Sequence, residues 1–260
     1  MEPVVKIHVH EHAGTIILNR PEKRNALSRE LLRELRQAFD DLHLERRVRA
    51  VILTGAGSAF CAGMDLAEML ATSQSDVPQP QWHEDALLYL DVLEAMLRFP
   101  KPIVAAVGGA AVAGGAGLVL ACDLVVAAES AQFGLPEPRR GLVAGMVAPL
   151  LAFRAGGGQA ARLLLSAGLI DAREAHRIGL FHELVAEDKV WARAVEIGRG
   201  CAECAPEALQ LTKRMLNETV GETLFTQLAA GAAVSATART TEAAAEGLAA
   251  FLEKREPKWP

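Results

Sequence analysis

The 260-residue sequence is poor in aromatic residues and has no excess of basic ones. Phe, Trp and Tyr make up 5% of the chain, although 51% of it is hydrophobic. This composition excludes a disordered chain and favours closely packed, Ala-rich helices over an all-β sandwich. The formal net charge is −5, with basic and acidic residues interleaved. We therefore expect no nucleic-acid partner, because such binding needs clustered Lys and Arg.

Cysteine is scarce as well, since Cys61, Cys122, Cys201 and Cys204 are too few for a disulfide-stabilised fold of this length. The first residues lack the apolar segment of a secretory signal, so we expect reduced thiols and a cytoplasmic location. Cys201 and Cys204 form a CxxC pair, but there is neither a second pair nor a nearby pair of histidines. We expect structural cysteines and no metal site.

One long uncharged run, residues 103–122, is long enough to cross a bilayer. Five glycines interrupt it, and no aromatic or basic anchors flank it in the usual way. A buried strand, a glycine turn and a buried helix account for this run better than a membrane span does.

The remaining pattern predicts an α/β protein that becomes helical towards its end. Residues 4–18 alternate like a hairpin, residues 28–44 have the period of a helix capped by Ser28, and residues 86–99 form another amphipathic helix. Between these helices, residues 71–81 contain polar residues and two prolines, which favours a loop or a lid. After about residue 159 there is almost no strand signal.

Two glycine turns share a design that suits catalysis. Phe60–Asp65 and Ala113–Gly115 each follow a predicted buried strand and lead into a helix. Amides at a helix start have no partner within the helix, so two of them meeting at one point would bind a developing negative charge. The familiar signatures of serine hydrolases, P-loop enzymes and zinc proteases do not occur.

Five segments of the sequence indicate its family more specifically: NRPEKRNALS, SAFCAGMDLAEM, KPIVAAVGGAAVAGGAGLVLACD, AQFGLPE and FLEKREPKW. Their order and spacing resemble those of the enoyl-CoA hydratase/isomerase (crotonase) family over nearly the whole chain. The resemblance implies an α/β fold, a crotonase-like spiral of repeated ββα turns with a C-terminal helical region that makes trimers or pairs of trimers. We expect residues 1–195 to form the spiral with the CoA site and residues 196–260 to form the oligomerisation region.

The resemblance also implies an acyl-CoA or enoyl-CoA thioester substrate and no separate cofactor, because coenzyme A is part of the substrate. The amides of Met64 and Gly114 would hold the thioester oxygen, and Glu137 would be the acid/base. The positions expected to bind coenzyme A are Lys23, Arg24, Ala26, Ala62, Asp65, Leu66, Phe251 and Lys254.

One position departs from the family pattern. Hydratases of this family use two glutamates to activate water, and the first of them would fall at Gly117. With Glu137 alone, the resemblance favours a 3,2-trans-enoyl-CoA isomerase, which needs one base. Gly145 stands where dienoyl-CoA isomerases and chlorobenzoyl-CoA dehalogenases have an aspartate, which argues against both.

Alternatives stay open at this point. Hydration would require another acid, for which the candidates are Glu68, His83, Glu84 and Asp85. A decarboxylase or a thioester hydrolase of the same fold could also work with one glutamate. A scaffold that binds acyl-CoA without turnover is the alternative that is not an enzyme.

Overall fold

Ten short strands and ten α-helices are found in the computed structural model, which describes residues 2–259. The strands are β1 Val5–His10, β2 Ala13–Leu18, β3 Ala50–Gly55, β4 Ala59–Cys61, β5 Ile103–Val107, β6 Ala110–Val112, β7 Leu124–Ala128, β8 Gln132–Gly134, β9 Leu169–Asp171 and β10 Glu183–Val185. The helices are α1 Arg29–Leu44, α2 Leu66–Ser73, α3 Gln79–Arg98, α4 Gly114–Ala121, α5 Val147–Ser166, α6 Ala172–Arg177, α7 Val190–Ala202, α8 Pro206–Arg214, α9 Leu224–Ala238 and α10 Glu242–Leu252.

From β3 to β8, successive strands alternate between two sheets. The larger sheet has the order β1-β2-β3-β5-β7-β10 and is parallel except for the β1–β2 hairpin. The smaller sheet has the order β4-β6-β8-β9 and is parallel except for the β8–β9 pair. Since β3, β5 and β7 lie in one sheet while β4, β6 and β8 lie in the other, each strand pair makes one turn of a spiral. The predicted spiral of ββα turns is confirmed.

Burial explains why the centre of the larger sheet is so apolar. The strands β3 and β5 are buried almost throughout, because helices cover the faces of a parallel sheet. The predicted helix α1 packs its leucine stripe into this core, and the Ser28 hydroxyl accepts a hydrogen bond of 3.2 Å from the Leu31 amide. Both the hairpin and the Ser28 cap are confirmed.

The predicted loop at residues 71–81 is mostly helix. Helix α2 runs to Ser73 and α3 begins at Gln79, so only residues 74–78 connect them. Pro78 and Pro80 signalled a loop in the sequence, but they occupy the start of α3, where a missing N–H costs no hydrogen bond. Burial of Trp82 then holds this first turn against the core.

The chain after β10 is helical, as predicted, although β9 and β10 are two short strands in the part after residue 159 where the sequence indicated almost none. Helix α9 packs against α3 and α5, and α10 packs against the 3-10 turn Glu137–Arg140. Helix α7 runs across the expected boundary at residue 195, and the division into two regions stays a prediction. Among the described residues, no helix is long and apolar enough to cross a membrane.

Candidate active site

A cavity of about 730 Å³ opens where the β4–α2 turn and the β6–α4 turn meet. Helix α10 and the segment after it form another part of its wall. The lining includes these residues predicted for the site: Lys23, Arg24, Ala26, Ala62, Met64, Asp65, Leu66, Gly114, Glu137 and Phe251. Lys254 does not line the cavity, but the neighbouring Arg255 does. The fold therefore brings ten of the eleven predicted positions to one cavity.

The two turns present their amides in the same way. The residue before Met64 is Gly63, with φ of 89°, and the residue before Gly114 is Ala113, with φ of 53°. A positive φ is rare for alanine, so this turn holds local strain. The turns touch, because a Cβ placed on Gly63 would lie 2.7 Å from the Ala113 Cβ and 3.1 Å from the Gly114 nitrogen.

Both amides are free to bind a ligand. Leu27 donates to the Gly63 carbonyl at 2.8 Å, and Asp65 donates to the Leu27 carbonyl at 3.0 Å, which fixes the turn on either side of Met64. Within residues 2–259, neither the Met64 amide nor the Gly114 amide donates to a backbone carbonyl. Gly114 is the first residue of α4, so its amide also lies at the positive end of a helix dipole. Two such donors can stabilise an oxyanion between them.

Glu137 is the carboxyl group in this cavity whose environment is most perturbed. It is the first residue of a 3-10 turn, only 9% of it is exposed, and its Oε2 atom has no hydrogen-bond partner among the described residues. Burial raises the pKa of Glu137 to about 7, against smaller opposing effects from a backbone hydrogen bond and from Arg140. A carboxyl group with this pKa can both accept and return a proton near neutral pH.

Tyr89 occupies the space that a side chain at position 117 would need. Its hydroxyl donates a 2.6 Å hydrogen bond to the Gly114 carbonyl, and the residue is buried in the cavity wall. A Cβ placed on Gly117 would collide with the Tyr89 hydroxyl oxygen. Burial, followed by the nearby Cys61 and Glu137, raises the pKa of Tyr89, so the hydroxyl stays neutral. The sequence showed the glycine but not what fills its place.

A side chain at position 145 is blocked in a similar way. Gly145 lines the cavity, and a Cβ placed on it would collide with the Gly231 carbonyl oxygen of α9. Backbone cannot move aside as a flexible side chain can, so this wall of the cavity has no room for an aspartate.

The four residues considered as replacement acids do not line the cavity. Glu68 accepts a 3.0 Å hydrogen bond from the Arg29 amide, and Asp85 forms an ion pair with the Arg29 guanidinium at 2.6 Å. His83 and Glu84 are exposed on α3. None of them is therefore placed to supply the acid missing at position 117.

Comparison with known proteins identifies the group to which this arrangement belongs. The sequence model described as "Enoyl-CoA hydratase/isomerase" matches residues 10–260. The chain belongs to the enoyl-CoA hydratase/isomerase family. This family acts on acyl-CoA thioesters.

Relatives within the enoyl-CoA hydratase/isomerase family match over nearly their full lengths. A putative enoyl-CoA hydratase of Thermus thermophilus is 41% identical, with 95% of this chain and 97% of the relative covered. The 1,2-epoxyphenylacetyl-CoA isomerase of Escherichia coli is 31% identical, with 97% and 96% covered. A crystal structure of an enoyl-CoA hydratase/isomerase from Xanthobacter autotrophicus superposes with a TM-score of 0.89 at 30% identity, covering 99% of this chain and 98% of that one.

The cavity lining is rich in positive charge. Six basic side chains line the cavity: Lys23, Arg24, Arg139, Arg140, Arg239 and Arg255. The Arg140 guanidinium lies 4.4 Å from the centre of the Phe251 ring, which ties the 3-10 turn to α10. Arg139, Arg140 and Arg255 were not predicted, because basic residues close to a helix end ordinarily face solvent.

Asp65 has a structural position at this site. Its carboxylate accepts hydrogen bonds from the Ala67 and Glu68 amides at 3.1 and 3.4 Å, which caps α2. It also pairs with Arg20 at 3.0 Å. Both oxygens of this carboxylate are engaged, which leaves Glu137 as the buried carboxylate of the cavity that is free to react.

Proposed function

We propose that this enzyme is a 3,2-trans-enoyl-CoA isomerase that uses Glu137 as its single acid/base. The Glu137 carboxylate removes a proton from C2 of a 3-enoyl-CoA, and the electron pair forms a dienolate whose charge lies on the thioester oxygen. The protonated Glu137 then returns the proton to C4. The C3–C4 double bond becomes a C2–C3 double bond, and no water is consumed.

The observation that carries this proposal is the Tyr89 hydroxyl lying where a second carboxylate would need to be. Among the described residues, the carboxylates lining the cavity are Asp65, Glu137 and Glu256. Asp65 caps a helix, and Glu256 is exposed. Isomerisation needs one base, whereas hydration by the family's usual route needs two carboxylates.

Electrostatics supports the same chemistry. The Met64 and Gly114 amides would each stabilise the dienolate oxygen, and removing one such donor elsewhere costs roughly 3–4 kcal/mol of transition-state stabilisation. The pKa of Glu137 at about 7 keeps a useful fraction of both protonation states near neutral pH. The same carboxyl group can therefore serve as base in the first step and as acid in the second.

Hydration is the second candidate, and the relatives favour it. Most of those compared with this chain carry the name enoyl-CoA hydratase, including the one from Thermus thermophilus. A hydratase reaction here would have to position water with Glu137 and a neutral tyrosine. Decarboxylation and thioester hydrolysis have no comparable support.

The test is an assay of purified protein with 3-enoyl-CoA and 2-enoyl-CoA, with products separated by retention and mass. We expect 3-enoyl-CoA to become 2-enoyl-CoA without gain of water, and this activity to be lost in Glu137→Gln. The matched control is Glu84→Gln, which removes an exposed carboxylate outside the cavity. A hydrated product formed at a comparable rate would overturn the isomerase assignment.

We also propose that the chain forms trimers through its helical end, that it works in the cytoplasm, and that it needs no cofactor beyond the coenzyme A of its substrate. Exposed apolar side chains in α8 and in the segment that follows it support association: Leu211, Met215, Leu216 and Val220. Light scattering coupled to gel filtration measures the oligomeric state, and a monomeric mass would contradict the trimer.

A further inference from the structure

Arg239, at the end of α9, is a buried cation in the wall of the cavity. Only 6% of it is exposed, yet it lines the same cavity as Glu137, together with Ser235 one helical turn earlier. Arginine is rarely buried to this extent unless a partner satisfies its charge and its hydrogen-bond donors.

No such partner is present for Arg239. Among the described residues, no carboxylate lies within 4 Å of its guanidinium, and its Nη1 atom has no hydrogen-bond acceptor. Asp85 is close enough to influence it, but the two Asp85 oxygens bind Arg29 at 2.6 and 2.8 Å. Gln81 also donates to Asp85 at 2.9 Å. Asp85 is therefore already engaged, and Arg239 remains an extra positive charge.

Arg239 lies on a different element from the other basic residues of the cavity. Arg140 belongs to the 3-10 turn Glu137–Arg140, and its guanidinium lies 4.4 Å from the centre of the Phe251 ring. Arg239 directly follows α9, and the charged residues that influence its pKa are Asp85 and Arg29. The two arginines therefore have different surroundings.

The position of α3 relates Arg239 to the reacting end of the cavity. Asp85 lies one turn before Tyr89 on this helix, and one turn is about 5.4 Å along the axis. The Tyr89 hydroxyl contacts the Gly114 carbonyl, next to the amides that would hold the thioester oxygen. Arg239 therefore lines the same cavity as Gly114 and Glu137, and Asp85, the carboxylate that influences it, lies one turn of α3 from Tyr89.

We propose that the substrate of this site is a CoA thioester whose short acyl chain ends in a carboxylate, and that Arg239, with Ser235, binds this carboxylate. A carboxylate matches the planar donor set of a guanidinium, and the Ser235 hydroxyl offers a further donor. The inference rests on the acyl-CoA site of the proposed function and names its substrate class. A substrate carboxylate would supply the acceptor that the Arg239 Nη1 atom lacks among the described residues.

Binding of saturated thioesters tests the proposed carboxylate site independently of isomerisation, because these ligands have no double bond to move. Calorimetry would compare succinyl-, glutaryl- and adipyl-CoA with butanoyl-, pentanoyl- and hexanoyl-CoA. We expect at least one dicarboxylic thioester to bind roughly tenfold more tightly than its neutral counterpart. Equal or weaker binding of all three by the wild-type protein would overturn the proposal, without any variant being needed.

Two variants locate the preference. Arg239→Met should remove the preference for the carboxylate while leaving affinity for the neutral thioesters within about threefold, which also shows that the site is still folded. Arg239→Lys should retain part of the preference for the carboxylate, because the positive charge remains although the planar pair of donors is lost. A preference that persists in Arg239→Met would overturn the role of Arg239. Failure of every thioester to bind would contradict the acyl-CoA site itself.

Discussion

Replacing Glu137 by glutamine should make the protein more stable, and the gain should grow with pH. The pKa of Glu137 rises from an ordinary value of 4.5 to about 7 in the folded state, because the carboxyl group is buried. Between these two values the folded protein binds a proton that the unfolded chain releases. Stability therefore falls as pH rises through this window, and glutamine, which does not titrate, is spared this loss.

The size of this stability difference follows from the rise in the pKa of Glu137. Linkage over these two pKa values gives a penalty of about 1 kcal/mol at pH 5 and about 3 kcal/mol at pH 8. We therefore expect the stability difference between Glu137→Gln and the wild type to increase by roughly 2 kcal/mol across this range. Below pH 4.5 both states bind the proton, so the contribution of this group to the difference disappears.

Urea unfolding at pH 5, 6, 7 and 8 measures this difference. Protein concentration must be held constant, because association also contributes to apparent stability. Glu84→Gln, at an exposed position of α3, is the control and should show no such growth with pH. A difference between Glu137→Gln and the wild type that does not change with pH would refute the reasoning, since it would mean that Glu137 is not held in a desolvated site.

Three further substitutions probe the packing around the cavity. Gly117→Glu should reduce isomerase activity by roughly tenfold or more, because its Cβ collides with the Tyr89 hydroxyl. It should not create hydratase activity unless Tyr89→Ala is added to make room, and the masses of the products show whether water has been added. Gly145→Ala should lower the free energy of unfolding by about 1–3 kcal/mol, since its Cβ meets the Gly231 carbonyl, and an unchanged urea midpoint would contradict the contact. Ser28→Ala should cost about 1 kcal/mol through loss of the α1 cap, measured in the same way, and retention of full stability would mean that the cap is replaced by water.

The sequence predicted the parts of this molecule that depend on local pattern. The glycine turns before Met64 and Gly114 and the cap at Ser28 are local features, and each has a recognisable spacing. Residues 71–81 were predicted as a loop because two prolines interrupt the pattern, yet α3 starts among them. The outcome depended on burial of the first turn of α3, which no local signal reports.

Tyr89 and Arg239 could not be assigned from sequence for the same reason. Tyr89 belongs to the apolar face of α3 and looks like an ordinary core residue, and only the packing of α3 on α4 brings its hydroxyl to Gly114. Arg239 follows an alanine-rich helix, where a basic residue is expected to face solvent. Both assignments required knowing which helices meet.

Helix α10 packs very closely on the turn that begins with Glu137. Gly247 lies directly against the Arg140 backbone, and Gly141 lies directly against the Ala243 backbone, so the two segments meet with no side chains between them. Glycine at these two positions therefore sets the distance between α10 and the turn that carries Glu137. Any larger residue at position 141 or 247 would push backbone against backbone and shift this wall of the cavity relative to the carboxyl group.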